Sequence, residues 1–425
     1  MHGEIAKINL NEVLDAEPVK AGSGLTRVMW LCVVVGVLTF SYGLFSSDLA
    51  HFWAAYFTSA VFFMGLAVGS VVIAVIFQIV RAVWGTPLRR IAESGVAYFP
   101  WAFISIAVTY FGREHLFVWA RQDMPGKVAW MQPNFVYARH LILLGLLFFL
   151  LNKFVKWSLR GDIGMLRERW AQRGRWVGSF YQDMAANWKG TAEEAYSLHP
   201  KMSRFAPVLI FLYATIYSLF AFEFVMGMDP FWISNLFGGF YFVGNVYLAW
   251  AFLAIITYYL VQTNSDYAKV LQPGTRWDHG KLTFGFCMLW GYFFFSQFLP
   301  QWYGNLPEET QWMILRTREY PWKGWGWVTF SLCFIIPFIL LLSRDLKRTH
   351  AAFATVGVMI FLGIWAEKYI AIMPNISPSA IPFGLLEFGM FLGFLGAYVL
   401  SVLNFLGKFP FVPVSHPQTQ GKVDW

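Results

Sequence analysis

Ionisable side chains recur near the ends of several long apolar segments of this chain. A charged side chain inside a bilayer costs on the order of 2.5–3.5 kcal/mol even on a lenient insertion scale, so each one needs a reason. Proton transfer near neutral pH requires such groups, namely a histidine or a desolvated carboxylate. The residues concerned are Glu114, His115, Arg139, His140, Glu223, Asp229, Glu367, Lys368 and Glu387. Proton-coupled chemistry within the membrane is therefore the first function to consider.

Four of these residues are candidate catalytic groups. Arg139 and His140 lie about a turn and a half inside one apolar segment, and Glu223 lies near the end of the next. His140 and Glu223 can together accept a proton, while Arg139 keeps Glu223 ionised or binds a substrate oxygen. His115 closes the preceding segment and joins them as the fourth candidate. The alternative is that these side chains extend from helix ends to the lipid headgroups.

The other five residues are candidates for a proton path or for internal ion pairs. Glu367 and Lys368 are adjacent and do not share a helix face, so each is predicted to pair with another helix. Glu387 is the expected partner of Lys368. Asp229, followed by Pro230, is predicted to cap the sixth helix. Glu114 belongs to this group as well.

The composition excludes a soluble globular protein. Hydrophobic residues make up 57% of the 425 residues and charged residues only 13%, which is typical of a polytopic membrane protein. The formal charge of +8 arises from Lys and Arg in the connections between segments, so it does not indicate a nucleic-acid partner. The three cysteines each lie in an apolar segment without a second Cys or His nearby, which argues against a metal site, an iron–sulfur cluster or covalently bound haem.

Ten apolar segments are each long enough to span a bilayer, and they predict an all-α fold. They cover approximately 26–45, 51–84, 94–112, 134–156, 204–226, 231–262, 281–299, 325–343, 350–372 and 380–406. Lys and Arg concentrate on the side that holds both termini, which predicts that side to be cytoplasmic. The tails 1–25 and 407–425 and the basic loop 157–203 are then cytoplasmic, the loop lying against lipid headgroups. The candidate residues all fall in the other half of the membrane, and the cytoplasmic half is expected to contain almost no internal charge.

The chain contains an internal repeat. Residues 52–65 and 231–244 both carry Phe-Trp followed, at the same spacing, by an aromatic pair and a glycine, and each opens an over-long apolar segment. Both openings lie on the same face, which indicates repeats related by an axis along the membrane normal. Helices 2–5 and 6–9 then form two four-helix bundles, and helices 1 and 10 are peripheral additions.

Three stretches resemble the NrfD/polysulphide-reductase-type integral membrane subunits. They are MDPFWISNLFGGFYFVG at 228–244, QWYGNLPEE at 301–309 and WAEKY at 365–369. The chain resembles most of all the shorter, F subunit of alternative complex III, a quinol:electron-acceptor oxidoreductase, over residues 26–406. That family has two four-helix bundles with a peripheral helix beside each.

The resemblance implies a non-redox subunit of a bacterial inner-membrane complex rather than a complete enzyme. A quinol site, for menaquinol or ubiquinol, is expected at the non-cytoplasmic end of the helix 2–5 bundle. The expected partners are a homologous NrfD-like membrane subunit, an iron–sulfur or molybdopterin-like peripheral subunit, haem c subunits and lipid. No cofactor is expected to be bound covalently.

Two other functions stay open from the sequence. A secondary transporter would also have many helices and internal repeats, but its site is expected near the membrane midplane, where this chain is apolar. A purely structural membrane anchor would need none of the ionisable residues for chemistry.

Overall fold

The computed structural model describes residue 19 and residues 22–122, 126–172, 183–184, 186–190, 193–194 and 196–415. This part of the chain is helical, without strands, and contains ten helices that are long and apolar enough to cross a membrane. The predicted all-α, polytopic fold is confirmed. The spans are α1 (Ser23–Leu44), α2 (Leu49–Ile79), α3 (Thr86–Leu116), α4 (Pro133–Glu168), α5 (Ser197–Met228), α6 (Phe237–Thr263), α7 (Pro273–Gly304), α8 (Trp322–Leu342), α9 (His350–Asn375) and α10 (Leu385–Leu406). Short helices Val118–Arg121, Ser265–Val270, Pro307–Thr317 and Arg344–Arg348 lie in the connections.

The spans pack as two four-helix bundles. In the first bundle, α2 contacts α3 and α5, and α4 completes the ring between them. In the second, α6 contacts α7 and α9, and α8 lies between those two. The two bundles thus have the same order of contacts, and they meet where α2 packs against α6.

Helices α1 and α10 pack on each other beside the first bundle. This differs from the expectation of one peripheral helix beside each bundle. Gly36 of α1 and Gly393 of α10 face each other so closely that a Cβ atom on either would overlap the other's backbone. Small residues allow membrane helices to approach to this distance, and the approach explains why the two helices pair.

The contact between α2 and α6 relies on two glycines. Gly65 and Gly69 stand one turn apart on α2, and both face Asn245 of α6. A Cβ atom on Gly69 would overlap the carbonyl oxygen of Asn245. The spacing is that of the small-xxx-small motif by which membrane helices pack closely.

Several helix boundaries differ from the predicted ones, and two of them matter most here. Helix α6 begins at Phe237 and not at Pro230, because the Asp229 carboxylate accepts the Phe231 amide at 3.0 Å and closes a local turn. The fourth helix continues to Gln172, beyond the predicted end at 156. Most of the predicted tail 1–25, residues 416–425 of the other tail and much of the loop 157–203 lie outside the described residues.

The ends of the spans nearer the two termini contain buried charge, contrary to expectation. Arg89, Arg90 and Glu93 begin α3, and all three are buried together with Asp162 of α4. Arg90 pairs with both Glu93 and Asp162. Arg89 donates to Glu93 Oε1 at 3.2 Å and to Gln78 Oε1 at 2.6 Å. The two arginines can be buried because each pairs with a carboxylate. The sequence places them between two predicted spans and does not indicate this pairing.

The segment after α10 completes this ionic cluster. The Ser415 amide and hydroxyl both donate to Asp162 Oδ1, at 2.7 and 2.6 Å. Phe411, Val412 and Val414 before it are buried. Residues 409–415 are therefore packed against the first bundle and are part of its core.

Replacing Gly69 with alanine should destabilise the protein. The added methyl group overlaps the Asn245 backbone and forces α2 and α6 apart, and overpacking of this kind costs about 1–3 kcal/mol. The measurement is the melting temperature of the purified protein in detergent, followed by size-exclusion chromatography after heating. Gly285→Ala on α7 is the matched control, because nothing lies within 4 Å of the added carbon. Equal melting temperatures for the two variants would contradict this account of the α2–α6 contact.

Candidate functional site

Glu223 lies on an irregular turn of α5. Residues Ala221–Val225 form one turn of π-helix, and the Glu223 side chain is 5% exposed. Its own carbonyl oxygen accepts the Trp119 indole N–H at 3.0 Å. Single π turns in α-helices often occur at functional sites, because the extra residue turns a side chain in a new direction.

Both carboxylate oxygens of Glu223 accept hydrogen bonds. His140 Nε2 lies 2.6 Å from Oε2, and the Arg139 guanidinium donates to the same oxygen. The Trp130 indole donates to Oε1 at 2.8 Å. The structure therefore brings together Arg139, His140 and Glu223, three of the four catalytic candidates, and we call these three residues the Glu223 cluster.

Aromatic rings hold Arg139 in place. Its guanidinium carbon lies 3.9 Å from the centroid of the Trp130 ring and 4.7 Å from that of Phe135. A cation over aromatic faces is stabilised by the ring quadrupole, and more strongly where water is excluded. Trp130 thus contacts both the cation and the carboxylate of one ion pair.

His140 has one nitrogen on Glu223 and the other without a partner. The ring is fully buried and meets Phe220 and Phe224 edge-to-face, with centroids 5.7 and 4.9 Å away. Nδ1 has no hydrogen-bond partner among the described residues. An imidazole held in this way can exchange a proton at Nδ1 while Glu223 stabilises its charged form.

His115 and Glu114 lie apart from the Glu223 cluster. Glu114 is exposed and pairs with Arg113 at 3.1 Å, as a helix-end residue at the headgroups would. The carbonyl oxygen of the half-buried His115 accepts from Arg121 at 3.5 Å. Neither residue contacts Glu223 in the structure.

Asp229 lies in the turn between α5 and α6. Burial lowers the pKa of Arg316, in the connecting helix Pro307–Thr317, to about 9, and the negative charge of Asp229 acts in the opposite direction. Asp229 therefore contributes to the electrostatic field around a buried arginine of the second bundle, in addition to its local turn.

Glu367 and Lys368 pair with each other, contrary to prediction. Lys368 Nζ lies 2.9 Å from Glu367 Oε1, because the long lysine side chain bends back toward its neighbour. The other carboxylate oxygen accepts the Trp290 indole N–H at 3.0 Å. Lys368 Nζ also lies 3.9 Å from the centroid of the Tyr241 ring.

Glu387 pairs with His51 and not with Lys368. Glu387 Oε1 lies 2.5 Å from His51 Nε2, and its Oε2 accepts the Gly384 amide at 2.9 Å. Sequence reasoning used His51 only as a helix boundary. Its position in the first turn of a long, largely apolar helix was the signal that could have identified it.

The described part of the chain is thus that of a multi-pass membrane protein, with ten helices long and apolar enough to span, buried ion pairs at both ends of the bundles and no group of three metal-ligating side chains. No protein-family model matches the chain, and a search of curated proteins gives no match.

The Arg139–Glu223 pair should behave as a unit. Arg139→Gln or Glu223→Gln alone leaves a buried charge without its partner, which costs about 3–5 kcal/mol. The double variant removes both charges, so it should lose much less stability than the sum of the single variants. Melting temperatures in detergent test this. Arg113→Gln and Glu114→Gln are the matched pair nearer the surface, with a half-buried arginine and an exposed carboxylate, and should each cost less than about 1 kcal/mol. Additive losses at Arg139 and Glu223 would contradict the pairing.

Proposed function

We propose that this chain is an integral membrane subunit of a respiratory quinol:electron-acceptor oxidoreductase of the alternative complex III type. In this proposal the Glu223 cluster receives protons from a quinol, either menaquinol or ubiquinol. The observation that carries it is a buried histidine with one free nitrogen, hydrogen-bonded to a carboxylate that an arginine also pairs. The type of complex and the substrate class are proposed from the sequence stretches that resemble NrfD-type subunits.

The proposed chemistry assigns a role to each residue of the cluster. Oxidation of a quinol releases two protons and two electrons. His140 Nδ1 accepts a proton from a ring hydroxyl, and the Glu223 carboxylate stabilises the resulting imidazolium or takes the proton onward. Arg139 keeps Glu223 ionised while the site is empty, because the guanidinium favours the charged carboxylate. The electrons leave to a peripheral iron–sulfur or molybdopterin-like subunit, and then to haem c subunits.

The surroundings of the cluster suit this role. Trp119 and Trp130 bind the backbone and the side chain of Glu223, so the acceptor is fixed before substrate arrives. Preorganised groups of this kind need no rearrangement at the moment of proton transfer. The proposal also includes a bacterial inner-membrane location, with both termini in the cytoplasm and a homologous membrane subunit alongside.

The test is quinol oxidation by the purified complex carrying His140→Ala or Glu223→Gln. General acid–base groups contribute roughly 10²- to 10⁴-fold, so turnover should fall at least about 100-fold. Subunit composition and melting temperature are measured in parallel to establish that the complex is intact. His140→Gln is a second variant that retains a polar side chain if the alanine variant does not assemble.

Glu114→Gln is the matched control, because it neutralises an exposed acid near the same face. Turnover should stay within about twofold of the unmodified complex, since an exposed carboxylate does not contact the buried cluster. An intact complex whose turnover is unchanged by both His140→Ala and Glu223→Gln would overturn the proposed site.

A further inference from the structure

The second bundle contains a cavity of about 770 Å³. Parts of α7, α8 and α9 line it, together with the connecting helix Pro307–Thr317 and the chain around Trp232. Pockets for small molecules and cofactors commonly measure about 300–1,000 Å³. The cavity can therefore hold a ring-sized ligand as well as part of an apolar tail.

Its walls are flat aromatic surfaces. Trp290 and Phe294 of α7 stack with their rings 7° from parallel. Trp232 and Trp312 stack at 3.7 Å with their planes 3° apart. Aromatic walls of this kind favour a planar ring that packs against their faces.

Three polar atoms of residues that line the cavity have no hydrogen-bond partner among the described residues. They are Gln301 Oε1, Thr329 Oγ1 and Trp232 Nε1, and all three are buried. Buried polar groups are nearly always hydrogen-bonded, so these three atoms are free to bind a ligand or water that enters the cavity. The set includes an acceptor, a donor and a hydroxyl that can do both.

Glu367 in the same wall repeats the chemistry of Glu223. Each carboxylate lies near the end of the fourth helix of its bundle. Glu367 accepts the Trp290 indole N–H at 3.0 Å and pairs with Lys368. Glu223 likewise accepts the Trp130 indole N–H at 2.8 Å and pairs with Arg139. Each bundle thus has a carboxylate that is paired with a cation near the end of its fourth helix.

We infer that this cavity is a second binding site for a lipid-soluble quinol, separate from the Glu223 cluster. The identity of the ligand rests on the proposed function, whereas the existence of the site rests on the cavity and its unpaired atoms. A quinol has a planar ring, an apolar tail and hydroxyl groups that both donate and accept. It therefore matches the aromatic walls, the volume and the mixed donors and acceptors.

The charges in the wall favour this neutral ligand over a phospholipid headgroup. Lys368 is engaged by Glu367. The Arg316 guanidinium donates to the carbonyl oxygens of Ile370, Ala371 and Trp312 and to the Asn375 side chain, at 2.8–3.2 Å. These two buried cations are thus already occupied by the protein, and a phosphate would compete with those bonds, whereas Arg318, which also lines the cavity, is exposed.

The experiment uses a photoreactive azido-ubiquinone on the purified complex, with the labelled peptides mapped by mass spectrometry. Peptides of α7 and α8 should be labelled, and an excess of unlabelled ubiquinol should suppress the labelling. Gln301→Leu with Thr329→Val removes two polar partners while keeping the volume, and labelling of these peptides should fall about two- to tenfold. Gln262→Leu, at an exposed glutamine near the end of α6, is the matched control and should label normally.

Thr329→Val alone provides a near-isosteric variant if the double variant does not assemble. The inference would be overturned if ubiquinol did not suppress the labelling of α7 and α8. It would also be overturned if the variants and the control were labelled equally. Recovery of phospholipid without quinone from the cavity would also overturn it. Labelling of α4 and α5 reports separately on the Glu223 cluster, so failure of one site is distinguishable from failure of the other.

Discussion

The close approach of α2 and α6 is the constraint on which the rest of the structure depends. In a bilayer, apolar surface gains little by facing another helix instead of lipid, so association relies on packing and polar contacts. Gly65 and Gly69 allow the two backbones to touch at Asn245. Because α2 and α6 are the first helices of their bundles, this contact fixes one bundle against the other, and with them the positions of Glu223 and Glu367.

The buried charges are compensated within each bundle and close to the helix that carries them. Glu223 meets Arg139 and His140 of α4, Glu367 meets its own neighbour, and Arg90 meets two carboxylates. Removing a charge from water costs several kcal/mol, and only a partner with good geometry offsets that cost. Helices that share such a pair must therefore be adjacent before the bundles are stable.

Hydropathy was sufficient to predict ten spans, because length and apolar composition determine what can cross a bilayer. The two bundles were predicted from the internal repeat at 52–65 and 231–244. The convergence of Arg139, His140 and Glu223 was also predictable, since charges in consecutive spans of one bundle have few other partners. The His51–Glu387 pair was not, because its members are 336 residues apart in the chain. The start of α6 was mistaken because Asp-Pro suits a helix cap and a tight turn equally. Arg89 and Arg90 were taken for loop residues because Asp162, which completes the cluster with Glu93, lies on α4, 72 residues beyond Arg90.

The packing of residues 409–415 against the first bundle has a consequence for biosynthesis. Asp162 enters the membrane with the fourth span, but its hydrogen bonds to Ser415 can form only after the tenth span has been inserted. Until then the nascent chain carries a carboxylate whose environment is incomplete. The first bundle thus reaches its final form only after residue 415 has been synthesised, and a chain that terminates before it keeps a local defect that quality-control proteases can recognise.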